Sequence, residues 1–492
     1  MRVVLGLPQD LQEAPVAQRG SSEGKLRRLP LAEVSRELHV RKRQDRLLGL
    51  LLLLGTQGRG GEEGQGGEEE WGDGVTRHGL SFIGLIYGAL YKTMAGNESK
   101  GKAMRITDVE CHVLLVPDLD KGATSSAQDD IVVFVHTDQG ITGVGETDVN
   151  PWIARACIEA PSTHTMGLGL KEMLIGEDPR EPERIWEKLY TGSAMNGRRG
   201  AMICAIGALD IALWDIRGKA AGKPCWELLG RKARDYITPY ASLQPSGRSF
   251  EEYRDSLVAW AVRAKELGFA AGKMEVTLSG PYRHSGLQEP DERMTEVVAA
   301  CRAAVGPEFV MMVDVQYTWS DPEVALRTLR DWKDFDLFFV ETPLQIDGLD
   351  GYARLHREAP MPIAAGEWQN TRFEFAELMD RGLVDVVQPD VGRVGGLTEA
   401  RRVAEMAARR GRKIVPHAWK TGISIAASAH LAAVTPHCPY IEFLPASLCD
   451  SLLRKELVAD ELEIREGRIP LPRKPGLGIE VDLHALRRFE VE

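Results

Sequence analysis

The feature that most constrains the fold is a repeat of a short apolar strand pattern followed by an amphipathic helix pattern, which begins near residue 236. Helical patterns at 252–267, 323–333 and 397–410 separate strand patterns. Strand patterns alternating with helices in this way are typical of a (β/α) barrel. A doubly wound sheet is the alternative, but the Gly-x-Gly-x-x-Gly nucleotide fingerprint is missing after the first strand. The predicted strands are 238–243, 270–276, 310–315, 337–341, 363–367, 384–388, 413–416 and 440–443.

The segment before the repeat has a different order of elements. Strand patterns at 106–116, 131–136 and 141–146 predict an antiparallel meander, and helical patterns fill 152–230. Strands followed by helices indicate a small α+β domain. After the barrel, β patterns resume at 462–465 and 478–481. The predicted division is therefore an α+β domain at 104–233, a barrel at 234–450, and a C-terminal segment at 451–492 that returns to the first domain.

Residues 1–103 have a different composition, with a basic run at 41–43, a leucine run at 47–54 and a Gly/Glu-rich stretch at 58–74. The leucine run is shorter than the roughly 20 apolar residues needed to cross a bilayer. These residues are predicted to be a low-complexity extension that is disordered or not part of the native protein. Met104, which opens the first clear strand pattern, or Met94 is the expected native start.

Overall composition excludes some classes of function. The formal net charge of −11 argues against a nucleic-acid-binding protein, which would usually carry a basic surface. The seven cysteines include no Cys-x-x-Cys spacing and are predicted to be reduced thiols in a cytoplasmic protein. No membrane partner is expected.

Polar residues recur where the predicted barrel strands end. Asp314, Glu341 and Glu367 each end an apolar run, and Asp390 and His417 follow the next two strands. The intervals are about 25 residues, close to the length of one strand–helix unit. Each residue therefore has the same place on successive strands, at the rim where barrel active sites form.

A single carboxylate at a strand end is usually solvated or paired. Three carboxylates in register at an apolar barrel mouth would repel one another and lose hydration. A divalent cation removes both penalties, and an oxygen-only ligand set suits Mg²⁺. The pattern predicts that Asp314, Glu341 and Glu367 bind Mg²⁺.

His417 alone would more often be a core histidine. With Asp390 one strand earlier, it is predicted to be a base whose tautomer is fixed by the carboxylate. Glu442, on the last strand, faces the same mouth and would donate a hydrogen bond to developing charge if burial kept it protonated.

Lys273 and Glu275 lie two residues apart on the second strand, so they share a face and can both point into the mouth. They could form a plain ion pair. In the functional interpretation, Lys273 lies near the carboxylate of the substrate.

These residues lie in a chain that resembles the mandelate racemase subgroup of the enolase superfamily from Met104 onward. The similarity rests on the site residues, on the Gly140–Glu146 motif Gly-x-x-Gly-x-Gly-Glu, and on the run at 205–224, which reads Ala-Ile-Gly-Ala-Leu-Asp-Ile-Ala-Leu-Trp-Asp-Ile-Arg-Gly-Lys-Ala-Ala-Gly-Lys-Pro.

The resemblance implies an α/β fold, namely a modified TIM barrel, (β/α)₇β, with an α+β capping domain. It also implies Mg²⁺ ligation by the three carboxylates, an Asp390–His417 catalytic dyad, and a role for Glu442 on the last strand. Two capping loops, at 118–130 and 147–154, would close over the site, and the protein would be a homo-oligomer.

One departure from the family pattern guides the functional interpretation. Members with a Lys-x-Lys motif use the second lysine as a base, and Glu275 occupies that position here. With His417 as the one clear base, we expect a dehydratase (a hydro-lyase) that converts an acid sugar, an aldonate or aldarate, to a 2-keto-3-deoxy acid. Gln316, two residues past Asp314, is expected to contact this small hydroxy-carboxylate substrate.

Two other functions stay open. A racemase, epimerase or cycloisomerase of the same fold would require Glu275 or another group to act as a base on the opposite face of the substrate. A non-catalytic binding protein is the third possibility, although the presence of all three carboxylates argues against it.

Overall fold

The computed structural model describes residues 103–121 and 127–492. Except for Ala103, the predicted low-complexity extension at 1–103 lies outside the described residues. Within those ranges, no helix has the length and apolar character needed to cross a membrane.

The first strands form an antiparallel sheet, as the sequence predicts. Its strands are β1 (Ile106–Leu115), β2 (Asp129–Thr137) and β3 (Thr142–Thr147), joined in the order β14-β1-β2-β3 by the late strand β14 (Glu490–Val491). Val113 of β1 pairs with Val491, so the C-terminal segment forms the outer edge of this sheet.

Five helices accompany the sheet: α1 (Pro151–Glu159), α2 (Leu170–Leu174), α3 (Pro182–Gly192), α4 (Ala201–Ala221) and α5 (Cys225–Leu229). Helix α4 is buried along most of its length and packs closely on β3. This approach requires glycine on the strand, because a Cβ at Gly143 or Gly145 would collide with the carbonyls of Ala212 or Ala208.

Eight parallel strands build the barrel, in the spatial order β11-β10-β9-β8-β7-β6-β5-β12. The Glu442 N–H donates to the Pro416 carbonyl at 3.2 Å, which links the two ends of this order. The strands are β5 (Pro239–Leu243), β6 (Ala271–Glu275), β7 (Val310–Asp314), β8 (Leu337–Glu341), β9 (Ile363–Ala365), β10 (Val386–Val387), β11 (Lys413–Ile414) and β12 (Ile441–Phe443).

Helices follow the first seven barrel strands: α6 (Phe250–Glu266), α7 (Asp291–Val305), α8 (Pro322–Asp331), α9 (Leu349–Glu358), α10 (Thr371–Asp380), α11 (Val391–Val394) with α12 (Gly396–Arg409), and α13 (Gly422–Val434). Single-turn 3₁₀ helices occupy Lys333–Phe335 and Ala446–Leu448. The predicted fold class, a (β/α)₇β barrel with an α+β capping domain, is confirmed. The boundaries at residues 233 and 450 stay predictions.

The tail differs from its predicted strands. It contains α14 (Leu452–Glu456), β13 (Ile469–Pro470) paired with β4 (Tyr236–Ile237), and α15 (Leu483–Phe489). The strands predicted at 462–465 and 478–481 are wrong, because only isolated bridges form there, at Arg465 and Val481. Positive φ at Glu466 (51°), Gly467 (71°) and Gly478 (76°) turns the chain at both places.

An apolar layer fills the barrel. Its members are inward-facing side chains from seven of the eight strands or the residues next to them, all fully or almost fully buried: Tyr240, Ala271, Met312, Phe339, Ala364, Val386 and Val415. Strand side chains alternate, so the residue two positions further along each strand also points inward, at the carboxyl end. The candidate site lies there.

Candidate active site

Three carboxylates form a row across adjacent strands. Glu275 of β6 pairs in register with Asp314 of β7, which pairs with Glu341 of β8. Thr342 Oγ1 donates to Asp314 Oδ1 at 2.8 Å, and Gln388 Nε2 donates to Glu341 Oε2 at 2.5 Å. Each carboxylate is at most 6% exposed, so the fold gives up hydration to place them side by side.

Lys273 lies among these acids. Its Nζ is 2.6 Å from Glu341 Oε1, 3.0 Å from Glu442 Oε1 and 3.6 Å from Asp314 Oδ2. Burial lowers the pKa of Lys273, but Glu341 and Glu442 outweigh it and raise this pKa well above its usual value. Lys273 therefore carries a positive charge paired with these three carboxylates, and its ion pairs in the described residues do not include Glu275.

The Asp390–His417 dyad is formed on the neighbouring strand ends. His417 Nδ1 is 2.7 Å from Asp390 Oδ2, and the Arg393 N–H donates to Asp390 Oδ1 at 2.9 Å. The other ring nitrogen, Nε2, lies 3.1 Å from Glu367 Oε2. Burial lowers the pKa of His417, but Glu442, Asp390 and Glu367 raise it to about 9 against the opposing charge of Arg393. A carboxylate on Nδ1 leaves Nε2 directed at the other acids of the site.

Glu442 accepts hydrogen bonds from Ser242 Oγ (2.6 Å) and from the Ala418 N–H (2.7 Å). Burial raises its pKa, yet Lys273 and His417 outweigh burial and lower this pKa to about 2. The donor role expected for Glu442 required a protonated carboxyl. In this environment Glu442 is ionised and accepts hydrogen bonds.

Glu275 is buried at the β6 end of the row, where Thr277 Oγ1 donates to its Oε1 at 3.1 Å. Burial, followed by repulsion from Asp314, raises the pKa of Glu275 to about 8. It is therefore a carboxyl that titrates close to neutral pH.

These residues line a cavity of about 410 Å³ at the carboxyl ends of the strands. Of the predicted site residues, it brings together Lys273, Glu275, Asp314, Gln316, Glu367, His417 and Glu442. Glu341 and Asp390 lie behind Lys273 and His417, which they contact.

An aromatic wall on the same cavity was not predicted. Tyr317 stacks on Trp368 with ring centroids 4.4 Å apart, and Tyr282 meets Trp368 edge-on at 5.2 Å. Trp419 and Arg393 also line the cavity. Position gave the only available signal, since Trp368 follows Glu367, Tyr317 follows Gln316, and Arg393 lies three residues after Asp390.

The two loops expected to close over the site do not line the first cavity in the described residues, and one of them lines a neighbouring cavity. Asp118 and Gln128, from the loop predicted at 118–130, line a second cavity of about 480 Å³. Gln244 and Trp419 line both cavities, which are therefore adjacent. The described residues of 118–130 and 147–154 are absent from the lining of the first cavity.

The backbone is strained next to the row of acids. Gln316 (φ 42°), Tyr317 (φ 58°) and Thr342 (φ 45°) are non-glycine residues in the left-handed region. Such conformations cost about 1–3 kcal/mol each and often occur at functional sites. Here they come within three residues after Asp314 and directly after Glu341.

The donor set fits a hard divalent cation in its chemistry. Burial and repulsion from Asp314 raise the pKa values of Glu341 (to about 8, against the pull of Lys273) and of Glu367, so these acids lack sufficient positive charge among their neighbours. Oxygen ligands of this kind suit Mg²⁺. As positioned, no three His, Cys, Asp or Glu side chains in the described part of the chain converge closely enough to hold a metal ion.

Comparison with known proteins places this chain in a family. Residues 113–230 match the family model for the mandelate racemase / muconate lactonizing enzyme N-terminal domain, and residues 256–485 match the model described as enolase C-terminal domain-like. The D-galactarolactone cycloisomerase of Agrobacterium fabrum is 32% identical over 79% of this chain and 99% of its own length. The arabinonate dehydratase of Saccharolobus solfataricus is 33% identical over 73% of this chain and 90% of its own length.

A solved structure agrees. The 3,6-anhydro-D-galactonate cycloisomerase from Zobellia galactanivorans superimposes with a TM-score of 0.68 at 29% identity, covering 79% of this chain and all of that one. Fold and site together define a capped α/β-barrel enzyme whose charged residues cluster at the carboxyl ends of the strands. The chain belongs to the mandelate racemase subgroup of the enolase superfamily.

Proposed function

We propose that this protein is a Mg²⁺-dependent acid-sugar dehydratase that removes the proton α to a carboxylate and then eliminates the β-hydroxyl. The observation that carries the proposal is the Asp390–His417 pair at 2.7 Å on the wall of the cavity, together with glutamate instead of a second lysine at position 275. Relatives named as dehydratases of arabinonate, L-talarate/galactarate and L-rhamnonate support the substrate class.

In this mechanism His417 acts as the neutral ring, because a divalent cation on Glu367 would offset the acid charge that otherwise raises the pKa of His417. Its Nε2 then takes the α-proton while Asp390 holds the Nδ1–H and stabilises the imidazolium that forms. Lys273, which is already turned toward the cavity, places positive charge beside the carboxylate of the substrate. Asp314, Glu341 and Glu367 would hold Mg²⁺, which when bound supplies Lewis-acid stabilisation of negative charge on that carboxylate.

The second step reuses the same proton. His417 returns it to the β-oxygen as the Cβ–O bond breaks, so water leaves and the dyad is restored. The resulting enol tautomerises to a 2-keto-3-deoxy acid. Gln316 and the aromatic wall border the cavity where the rest of the sugar chain would lie.

The test is a ¹H NMR screen of the full chain with MgCl₂ in D₂O against aldonates and aldarates. We expect one acid or a few stereoisomers to give a keto product, and His417→Asn to abolish it. His136→Asn, which changes a histidine of the first sheet, is the matched control and should keep wild-type turnover. If no acid yields a keto product while one exchanges its α-proton, the dehydratase assignment is wrong.

The metal part of the proposal is tested by thermal unfolding. A ligand that binds only the folded state at 100 times its Kd stabilises by about 2.7 kcal/mol. MgCl₂ should raise the melting temperature of the wild type, and Glu341→Gln should remove that rise. Glu399→Gln is the control, because Glu399 is equally buried but pairs with Arg372 and Arg402. The absence of any Mg²⁺ effect on the wild type would favour a non-catalytic binding protein.

An isomerase is the second candidate. Glu275 lies in the same cavity as His417, and two of the similar proteins are named cycloisomerases. A two-base isomerase should lose turnover in Glu275→Gln, whereas a dehydratase that relies on His417 alone should retain most of it. Configurational inversion or α-proton exchange without water loss would move the assignment to this class.

A further inference from the structure

A buried acid outside the cavity joins the capping sheet to the dyad. Asp148 follows β3, is 8% exposed, and is absent from the lining of the 410 Å³ cavity. Its Oδ2 accepts from Arg393 Nη2, its carbonyl accepts from Arg393 Nε at 2.9 Å, and its Oδ1 lies 3.1 Å from Lys420 Nζ. Asp148 is thus held by two cations that follow two different barrel strands, β10 and β11.

The segments that follow these two strands carry the dyad. Arg393 lies in α11, and its N–H donates to Asp390 Oδ1. Lys420 lies three residues after His417. The segments that carry Asp390 and His417 are therefore joined twice. The direct hydrogen bond is one link, and the chain of contacts Arg393–Asp148–Lys420 is the other.

The network is anchored to the capping sheet at a second point. Lys420 Nζ also donates to the carbonyl and to Oδ1 of Asp129, at the start of β2, both at 2.7 Å. Close by, Glu146 of β3 accepts from Thr421 and Ser424 at the beginning of α13. The loop that carries His417 is thereby tied to the capping sheet at several positions.

Charge makes Asp148 the centre of this network. Burial raises its pKa, but Arg393 and Lys420 outweigh burial and lower the pKa to about 2, so the carboxylate stays ionised. Replacing one partner of a buried, paired charge leaves the other uncompensated and disturbs the groups around it. Without the charge of Asp148, Lys420 would be drawn toward Asp129, 2.7 Å away, and Arg393 toward Glu367, 3.7 Å away.

We propose that Asp148 is a positioning residue, which holds the Asp390 and His417 loops at the separation that keeps His417 Nδ1 on Asp390. The physical basis is the steep dependence of a hydrogen bond on distance and angle, so that a displacement of about 1 Å can cost about 10²-fold in rate. This inference rests on the proposed function of the dyad.

The test is NMR of the full chain labelled with ¹⁵N-histidine, with MgCl₂ at one concentration and one pH. The ring ¹⁵N shifts of His417, detected through its carbon-bound protons and assigned by their loss in His417→Asn, report which nitrogen is protonated and hydrogen-bonded. We expect Asp148→Asn, which is nearly isosteric, to change the Nδ1 shift or split the signal into two populations.

Two further variants make the result decisive. Lys420→Met removes the other end of the connection and should change the same signal, and it alone decides if Asp148→Asn does not fold. Lys219→Met is the matched control, because Lys219 also pairs with a buried acid, Asp215, at 2.6 Å, but contacts the capping sheet instead of the dyad loops. An unchanged His417 signal in a folded Asp148→Asn protein overturns the proposal.

Kinetics give an independent readout once a substrate is known. Poor positioning should lower kcat about 10–100-fold and change KM less than about threefold, whereas loss of folded protein would lower the active concentration alone. The NMR measurement needs no turnover. A wild-type protein that processes no acid would therefore count against the proposed function, and the effect of Asp148→Asn on His417 would still decide the positioning role.

Discussion

The barrel contains two adjacent inward-facing layers that share strands and burial but differ in polarity and charge. Met312 and Asp314 lie two residues apart on β7, and Phe339 and Glu341 do so on β8. The lower layer is apolar and fully or almost fully buried, while the upper one holds buried acids, Lys273 and His417. One pleat of backbone therefore separates side chains that stabilise the barrel from side chains whose mutual repulsion opposes its folding.

Two buried histidines show the same contrast. Burial and Arg393 act against the acids around His417, yet its pKa is raised to about 9. For His430, in α13, burial lowers the pKa to about 4 against the opposing effect of its hydrogen bond to the Leu477 carbonyl. Burial favours the neutral ring in both histidines, and the neighbouring acids reverse that preference at His417.

The largest expected effect is on the rate, from the upper layer. His417→Asn should lower kcat/KM by about 10³-fold, because loss of a general base typically costs about 10²–10⁴. The free energy of unfolding should change by only about 1 kcal/mol, since asparagine can still donate to Asp390. Steady-state kinetics and urea unfolding measure both. A large loss of stability with normal kinetics would reverse the comparison.

In the lower layer the effect should be on stability. Phe339→Ala should lower the free energy of unfolding by about 3–5 kcal/mol, because it leaves a cavity in a closely packed layer. The kcat of the remaining folded protein should stay close to wild type. Phe338→Ala, at a half-buried neighbour that packs against the edge of this layer, is the control and should cost less. Equal losses at both positions would show that the inner layer has no special part in stability.

The free energy of unfolding should depend on pH through His430. Its Nδ1 accepts from the Trp226 N–H and its Nε2 donates to the Leu477 carbonyl, so the folded state needs the neutral ring. The unfolded chain binds the proton first, so stability should fall as the pH drops from about 6.5 to about 4, by up to about 3 kcal/mol. Below pH 4 this contribution should no longer change. Urea unfolding of wild type and His430→Gln compares the slopes, and identical slopes would contradict the prediction.

The smallest effect concerns single hydroxyl groups. Ser242→Ala removes the 2.6 Å bond to Glu442 and should cost about 1 kcal/mol of stability and a few-fold in kcat. Ser428→Ala is the control, because Ser428 Oγ is buried without a hydrogen-bond partner in the described structure. That change should be neutral or slightly stabilising by thermal unfolding. If Ser242→Ala is equally neutral, the bond to Glu442 does not help to order the upper layer.

The fold was predictable because period and position are local properties of a sequence. The predicted strand at 310–315 and the observed Val310–Asp314 differ by one residue, and the acids at strand ends mark the rim directly. The tail was harder, since the positive φ at Glu466 and Gly467 interrupts a pattern that looks extended.

The site was only partly predictable for a different reason. The ionised state of Glu442 depends on Lys273 and His417, which come from other strands. The Asp148–Arg393 contact joins residues 245 positions apart, and neither residue ends a predicted barrel strand. Residue roles at the metal site and the dyad, the oligomeric state and the cytoplasmic location stay predictions until measured.

The pairing of β1 with β14 has a consequence for synthesis on the ribosome. Val113 can pair with Val491 only after the entire barrel, which lies between them in the sequence, has been synthesised. Until then Val113 and Leu114 lack their strand partners at the outer edge of β1, and unpaired edges template association with other strands. The first sheet to emerge is thus among the last to be completed. We expect a chaperone that binds nascent chains to bind at that edge.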